Sequence, residues 1–228
     1  MMRHYDPSSE PPSQDVLTTE DLALWCRRGQ LAIRQATSHL NEINVFDRVD
    51  YDTGKNLNQL WSLLTETTET AYLERRGSAP MTPSQLLHRW ARAASEDDPD
   101  LVGRSVIIIS KALKGMAAAA ANLPHLDSRD ISAVLTAGAV SARQWLSVDA
   151  VDGTILDVLD AGADAATVSH LRLSSQLEAI AEASVRAVEG TTARLPILRQ
   201  VGVVDAGALG LSLALTELPG VIAARPGR

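Results

Sequence analysis

Between Asn44 and Asn56 the chain reads NVFDRVDYDTGKN. Asp47, Asp50 and Asp52 fall close together, and Thr53-Gly54-Lys55-Asn56 follows at once. Carboxylates this near to one another repel. Either each is solvated on a loop or a cation sits among them. A hard divalent ion such as Mg²⁺ prefers oxygen ligands, keeps several waters, and is usually held by carboxylates together with substrate phosphates. Asp50 and Asp52, on either side of Tyr51, could share such an ion, which would cancel the repulsion. Thr53-Gly54 then turns the chain into a helix, whose first N–H groups would point back at the site and attract phosphate.

Three later segments carry comparable chemistry. Gly103-Arg104-Ser105 stands at a helix start, where N–H groups and the Ser105 hydroxyl could cradle phosphate oxygens, or Ser105 could be an ordinary helix cap. Asp152-Gly153-Thr154 reads as a turn plus cap or as a second contact of the same kind. In VGVVDAGALG, Asp205 and Gly207 belong either to a close approach of helices or to a loop that touches a ligand. The histidines share no metal-ligand spacing.

These loops need elements to hold them. Thr18 or Thr19, with acids in the next turn, starts a first helix over 19–42, carrying Leu22, Trp25, Cys26, Ile33, Ala36 and Leu40 at helical spacing. Further helices are expected over 55–76, from Thr82-Pro83 onward, over 104–122, 128–147, 154–166 and 171–188, in a short piece through Val201, and from Asp205 to just before Pro219. No period-two pattern persists. Ala and Leu abound while aromatics are 4%, a mix that suits close-packed helices better than sheets. The expectation is an all-α protein of eight or nine helices with short loops, in which alternate loops fall at one end and the four glycine-bearing segments converge. Trp25, Trp61, Trp90 and Trp145 are expected in the core or lining the bundle.

Composition narrows the function. The chain has 228 residues and a net charge of −7. An acidic surface gives no electrostatic footprint for a nucleic-acid backbone, so no nucleic-acid partner is expected. A single cysteine, Cys26, excludes an intrachain disulfide and reads as a small core residue. The N-terminus lacks a basic stretch leading into an apolar run, and no segment is read as a membrane span. A cytoplasmic protein is expected. Residues 1–16, rich in Pro and Ser, read as a disordered tail ahead of a helical domain over 17–224.

The order and wording of the motifs say more. LNEINVFDRVDYDTGKN resembles the LNxxNVFPVPDGDTGTNM signature of the DAK2 domain, also called the DhaL-type domain, the ATP-binding domain of dihydroxyacetone kinases and bacterial fatty acid kinases. GRSVIIISKALKGMA is similar to that family's GNSGVILSQxLxG, AVDGTILDV to PVEGTILTV, and TTARLPILRQVGVVDAGALGL to TPxxLPxLKxxGVVDAGGxGL. The resemblance runs in order over about residues 19–220 and is nearer to the fatty-acid-kinase branch. It implies a barrel of eight antiparallel helices with nucleotide capping one end, the phosphates held through two Mg²⁺ by clustered aspartates. By position, Asp50 and Asp52 match the metal-binding aspartates, and Asp47, where this branch has Pro, is a metal candidate by proximity. Thr53, Gly54, Lys55 and Asn56 occupy the turn after them. Gly103, Arg104 and Ser105 occupy the phosphate loop, with Ser105 at its serine. Gly153 and Thr154 match GT, and Asp205 and Gly207 match DAG.

Departures accompany the matches. Tyr51 replaces a glycine, Lys55 a threonine, Arg104 an asparagine, Val106 a glycine, Lys111 a glutamine and Ala208 a glycine. A valine at 106 is expected to crowd phosphate or to forbid a conformation that glycine could take. Lys55 and Arg104 could instead bring charge to phosphate directly. The resemblance implies an ATP/ADP- and Mg²⁺-dependent kinase subunit, transferring phosphate to a small hydroxy compound or a carboxylate presented by a partner protein. The alternative is a non-catalytic relative that keeps the helices as a binding or regulatory module.

Overall fold

The structure, a computed structural model, describes residues 15–45, 52–75, 77, 79–95, 103–146, 153–167 and 172–225. Among them the chain is all-α. Ten helices follow in order: α1 Thr19–Glu42, α2 Thr53–Glu74, α3 Pro83–Ala93, α4 Arg104–Ala119, α5 Ser128–Leu146, α6 Ile155–Thr167, α7 Leu173–Arg194, α8 Pro196–Val201, α9 Ala206–Leu215 and α10 Leu218–Ala223. The sole extended pairing among the described residues is an antiparallel bridge between Leu17 and Leu126.

Local chemistry starts these helices where the sequence predicts. The Thr18 hydroxyl accepts the Asp21 N–H while the Asp21 carboxylate accepts the Thr18 N–H, a reciprocal cap for α1. Thr82 and Gln85 do the same for α3, with Pro83 at its first position. Leu22, Cys26, Ile33 and Leu40 then lie on one stripe of α1 and are buried. Burial pushes the Cys26 thiol up to about 11, as expected of an inert core residue.

Packing closes a ring. Each of α1 through α7 packs on the next, α7 packs on α9, and α9 returns to α1. These eight helices form the barrel expected from the motifs, while α8 lies against α7, and α10 against α7 and α1. The interior is filled: Leu17, Trp25, Trp61, Leu64, Leu113 and Leu177 are among the side chains around a residual apolar void of about 90 Å³. Trp61 and Trp90 are fully buried. Trp145 departs from the expectation, being 40% exposed, with the Lys111 ammonium 5.5 Å from its ring centroid. Its neighbour Leu146 takes the inward position on α5 instead.

Several boundaries also differ. The seventh helix runs on to Arg194 through Gly190 rather than ending near residue 188. Helical glycine costs only about 1 kcal/mol, and buried Thr191 anchors this turn by accepting the Asp205 N–H at 3.0 Å. Pro219 does not follow the last helix but opens α10 from its first turn. By length and composition alone, Ala206–Ala223 is apolar enough to cross a membrane, contrary to the sequence reading. Here 61% of that segment is buried inside the protein, and it is divided between α9 and α10. Its apolarity is that of a barrel stave: Ala206, Ala208, Leu211, Ala214 and Leu215 face other helices.

The Pro/Ser-rich tail assigned to residues 1–16 lies outside the described residues as far as position 14. Val16 and Leu17 are buried, and the Arg225 guanidinium donates to the Val16 carbonyl at 2.6 Å and pairs with Asp21 at 2.5 Å. Both ends of the described chain thus fasten at the start of α1.

Candidate functional site

The starts of α2, α4, α6 and α9 meet the ends of α1 and α5 around one cavity of about 250 Å³. Thr53, Arg104, Ser105, Thr154, Asp205 and Gly207 line it, together with Asn44, Ile108, Leu146, Ile155 and Leu156. Residues from all four predicted segments therefore share one wall, at one end of the barrel. Helices that begin here alternate with helices that end here, which is what an antiparallel ring requires.

The start of α2 lies directly on α1. A Cβ at Gly54 would come within 2.2 Å of the Thr37 carbonyl oxygen, so only glycine fits. The Asn41 side-chain oxygen accepts the N–H groups of Gly54 at 2.8 Å and Lys55 at 3.2 Å. These donors, expected to face phosphate, are instead used to fasten α2 to α1. Thr53 remains on the cavity wall, and the Lys55 side chain is exposed. Asp52 precedes the helix without capping it, and its carboxylate accepts the Asn56 amide at 3.0 Å. Asn56 is buried, and Gly103 packs so tightly on it that a Cβ there would lie 2.8 Å from the Asn56 nitrogen. Asn56 thus spaces the aspartate loop from the phosphate-loop glycine. Asp47, Asp50 and Tyr51 lie outside the described residues, and among the described ones no three acidic, His or Cys side chains group as a metal site.

At α4 the capping alternative for Ser105 fails: Gly103 is the cap residue, with φ 99°, and no side chain caps this helix. Ser105 faces Gly207 instead. A Cβ on Gly207 would stand 2.2 Å from the Ser105 oxygen, so the glycine keeps room for that hydroxyl. Val106 does not crowd the cavity. It has no positive φ, is 1% exposed, and belongs to the core beneath α4. Ala208 is equally absorbed, fully buried in α9, with its N–H donated to Asp205 at 2.7 Å.

Asp205 joins two helix starts. It caps α9 by accepting the Ala208 N–H, and the N–H groups of Gly207 and of Ile155, the latter at the head of α6, favour its charged form. Burial raises its pKa to about 6, opposed by those N–H bonds and reinforced by nearby Asp157. Asp157 was missed by the sequence reading, although it stands where the family pattern has threonine. Its carboxylate is 6% exposed, accepts the Gly153 N–H at 2.5 Å, pairs with Arg194 at 3.0 Å, and lies 4.0 Å from Arg143. Gly153, with φ 88°, packs against Arg194 and Leu195, so Asp157 and Arg194 together pin the GT loop. Asn41 and Asn44 were missed as well. Both sit in the quoted LNxxN stretch, which was the available signal.

The donor set suits phosphate. Three hydroxyls and Arg104 surround the cavity, and the one carboxylate among its described lining residues, Asp205, accepts the Ala208 N–H. A larger surface groove of about 560 Å³, beside Glu20, Arg27, Glu69 and Tyr72 on α1 and α2, contains none of the motif residues.

This fold and this loop cluster define a class. The DAK2 domain family model matches residues 49–219, and the chain belongs to the DAK2 domain family. Its relatives include Protein YloV of Bacillus subtilis, 27% identical over 186 residues, covering 80% of this chain and 32% of that protein. An uncharacterized protein of Staphylococcus saprophyticus is 29% identical over 178 residues, covering 76% of this chain and 30% of its own length. An uncharacterized protein of Staphylococcus aureus is 28% identical, with 75% and 30% covered. The chain spans about a third of the length of these curated relatives. The family context is that of a nucleotide-binding, DhaL-like module.

Proposed function

We propose that this domain binds ATP with Mg²⁺ at the loop cluster and serves as the phosphoryl-donating part of a kinase. The observation that carries the reading is the convergence of Thr53, Arg104, Ser105, Thr154, Asp205 and Gly207, from four distant segments, on one cavity, with Asp52 one residue before Thr53 in the chain. Ser105, Thr53 and Thr154 offer hydroxyls to phosphate oxygens, and Arg104 offers a forked cation. Asp50 and Asp52 would hold the metal, which when bound neutralises charge on the phosphates. Catalysis of this kind rests on positioning. Asn56 holds the Asp52 carboxylate, Asn41 fixes the following turn, and Asp157 with Arg194 pins Gly153. The acceptor, a small hydroxy compound or a carboxylate, would be presented by a partner protein or by further sequence of the kind the longer relatives carry.

One observation favours a second reading, a binding or regulatory module without catalysis: Asp205, Asn56 and Asn41 each make hydrogen bonds to protein partners, so these parts of the mouth are held without a ligand. A thermal shift with ATP and Mg²⁺ tests binding. Ligand at a hundred times its Kd stabilises by about 2.7 kcal/mol if it binds only the folded state. Asp52→Asn is expected to abolish the Mg²⁺-dependent part of the shift while the apo melting temperature holds. A normal shift in that variant would misplace the metal site, and binding without phosphoryl transfer to any presented acceptor would favour the second reading.

A further inference from the structure

The cavity wall contains a buried donor that the described residues leave unsatisfied. Asn44 is 4% exposed and lines the cavity wall. Among the described residues its side-chain nitrogen, Nδ2, has no hydrogen-bond partner. Leaving a buried N–H unpaired costs about 1–3 kcal/mol, and native proteins keep few such groups. An orphan donor at the wall of a polar cavity therefore marks the place of a ligand acceptor.

The surroundings define that acceptor. The hydroxyls of Thr53, Ser105 and Thr154 share the cavity, and Arg104 adds positive charge. The one carboxylate among the described lining residues, Asp205, accepts the Ala208 N–H. All of these side chains except Asp205 can donate to an oxyanion. That favours an oxyanion over a bare cation, which would want carboxylates in place of the amide nitrogen. Resting on the proposed nucleotide reading, we infer that Asn44 Nδ2 and Arg104 grip a phosphate oxyanion directly, so that a polyphosphate binds at this mouth even without a divalent ion. Metal then strengthens a seat that the protein's own donors have formed.

Asn44→Asp keeps the shape of the side chain and replaces the donor by a carboxylate. It separates a grip on phosphate from a grip on metal. Calorimetric titration with tripolyphosphate, in EDTA and again in Mg²⁺, reads the difference. The unaltered protein is expected to bind in EDTA. Asn44→Asp should weaken binding about tenfold or more in both buffers, the worth of one charge-assisted hydrogen bond. Arg104→Gln, on an exposed side chain that leaves the core intact, should weaken binding by a similar factor and reduce its salt dependence. Unchanged or tighter Mg²⁺-dependent binding by Asn44→Asp would assign the residue to metal and overturn the inference. So would unchanged binding by Arg104→Gln. Binding of ATP with Mg²⁺, but of no tripolyphosphate in EDTA, would overturn it while leaving the proposed function standing. Failure of both ligands would remove both.

Discussion

Asp205→Asn offers a quantitative test of the site's architecture. The native carboxyl is buried, and its pKa is raised from 3.8 to about 6. Each unit corresponds to about 1.36 kcal/mol, so ionising Asp205 in the folded protein costs on the order of 3 kcal/mol more than in the unfolded chain. The native state holds this proton more tightly than the unfolded state does. The group's contribution is therefore fully present below about pH 4, falls as pH rises through about 6, and stays lost above that. Asparagine can still accept the Ala208 N–H, but its uncharged amide interacts less favourably with the nearby N–H groups of Ile155 and Gly207. That loss costs roughly 1–3 kcal/mol and is independent of pH. At neutral pH the two effects nearly offset, and an end-point melting temperature would say little. The difference between wild type and variant across pH carries the information. Urea unfolding of both proteins from pH 4 to pH 8 should show wild type losing its advantage by about 3 kcal/mol over that range, most of it between pH 4 and 6.5. Subtracting the variant removes the other carboxylates that titrate in the same window. Parallel stability curves would refute the argument, because they would mean that Asp205 is solvated and does not tie α6 to α9.

Two further substitutions probe the supports. Asn41→Ala removes the acceptor for the Gly54 and Lys55 N–H groups and should destabilise by about 1–2 kcal/mol in urea, as loss of a helix cap does; an unchanged midpoint would show that α2 is held by packing alone. Gly207→Ala places a Cβ on the Ser105 hydroxyl and should cost about 1–3 kcal/mol and weaken ATP binding, with Ser105→Gly in the same chain restoring much of the stability; equal, additive losses in a double-mutant cycle would show that the two residues do not meet.

The helical frame was legible from local signals. Thr18 with Asp21, and Thr82 with Gln85 after Pro83, are short-range caps that need no tertiary partner, and the apolar stripe of α1 follows from period alone. The candidate site was legible in outline because its residues sit in glycine-bearing turns with family wording. Where the reading erred, a distant partner decided the outcome. The seventh helix was expected to end near residue 188, yet it runs on to Arg194, and Thr191 is held by the Asp205 N–H. Val106 suggested a blocked phosphate loop, yet its side chain turns into the core. The N–H groups of Gly54 and Lys55 suggested a phosphate seat, yet Asn41, across the turn, takes them.

By itself, then, the order of residues determined that this chain is helical, where most staves begin, and which turns carry oxygen and nitrogen groups of use to phosphate, since propensity, capping and periodicity act within a few residues. Only the tertiary structure decided which donors are spent on the fold and which remain turned to the cavity. That division depends on side chains such as Asn41, Asn44 and Asp157 meeting, or failing to meet, partners on other helices. Distances of that kind exist only once the ring has closed.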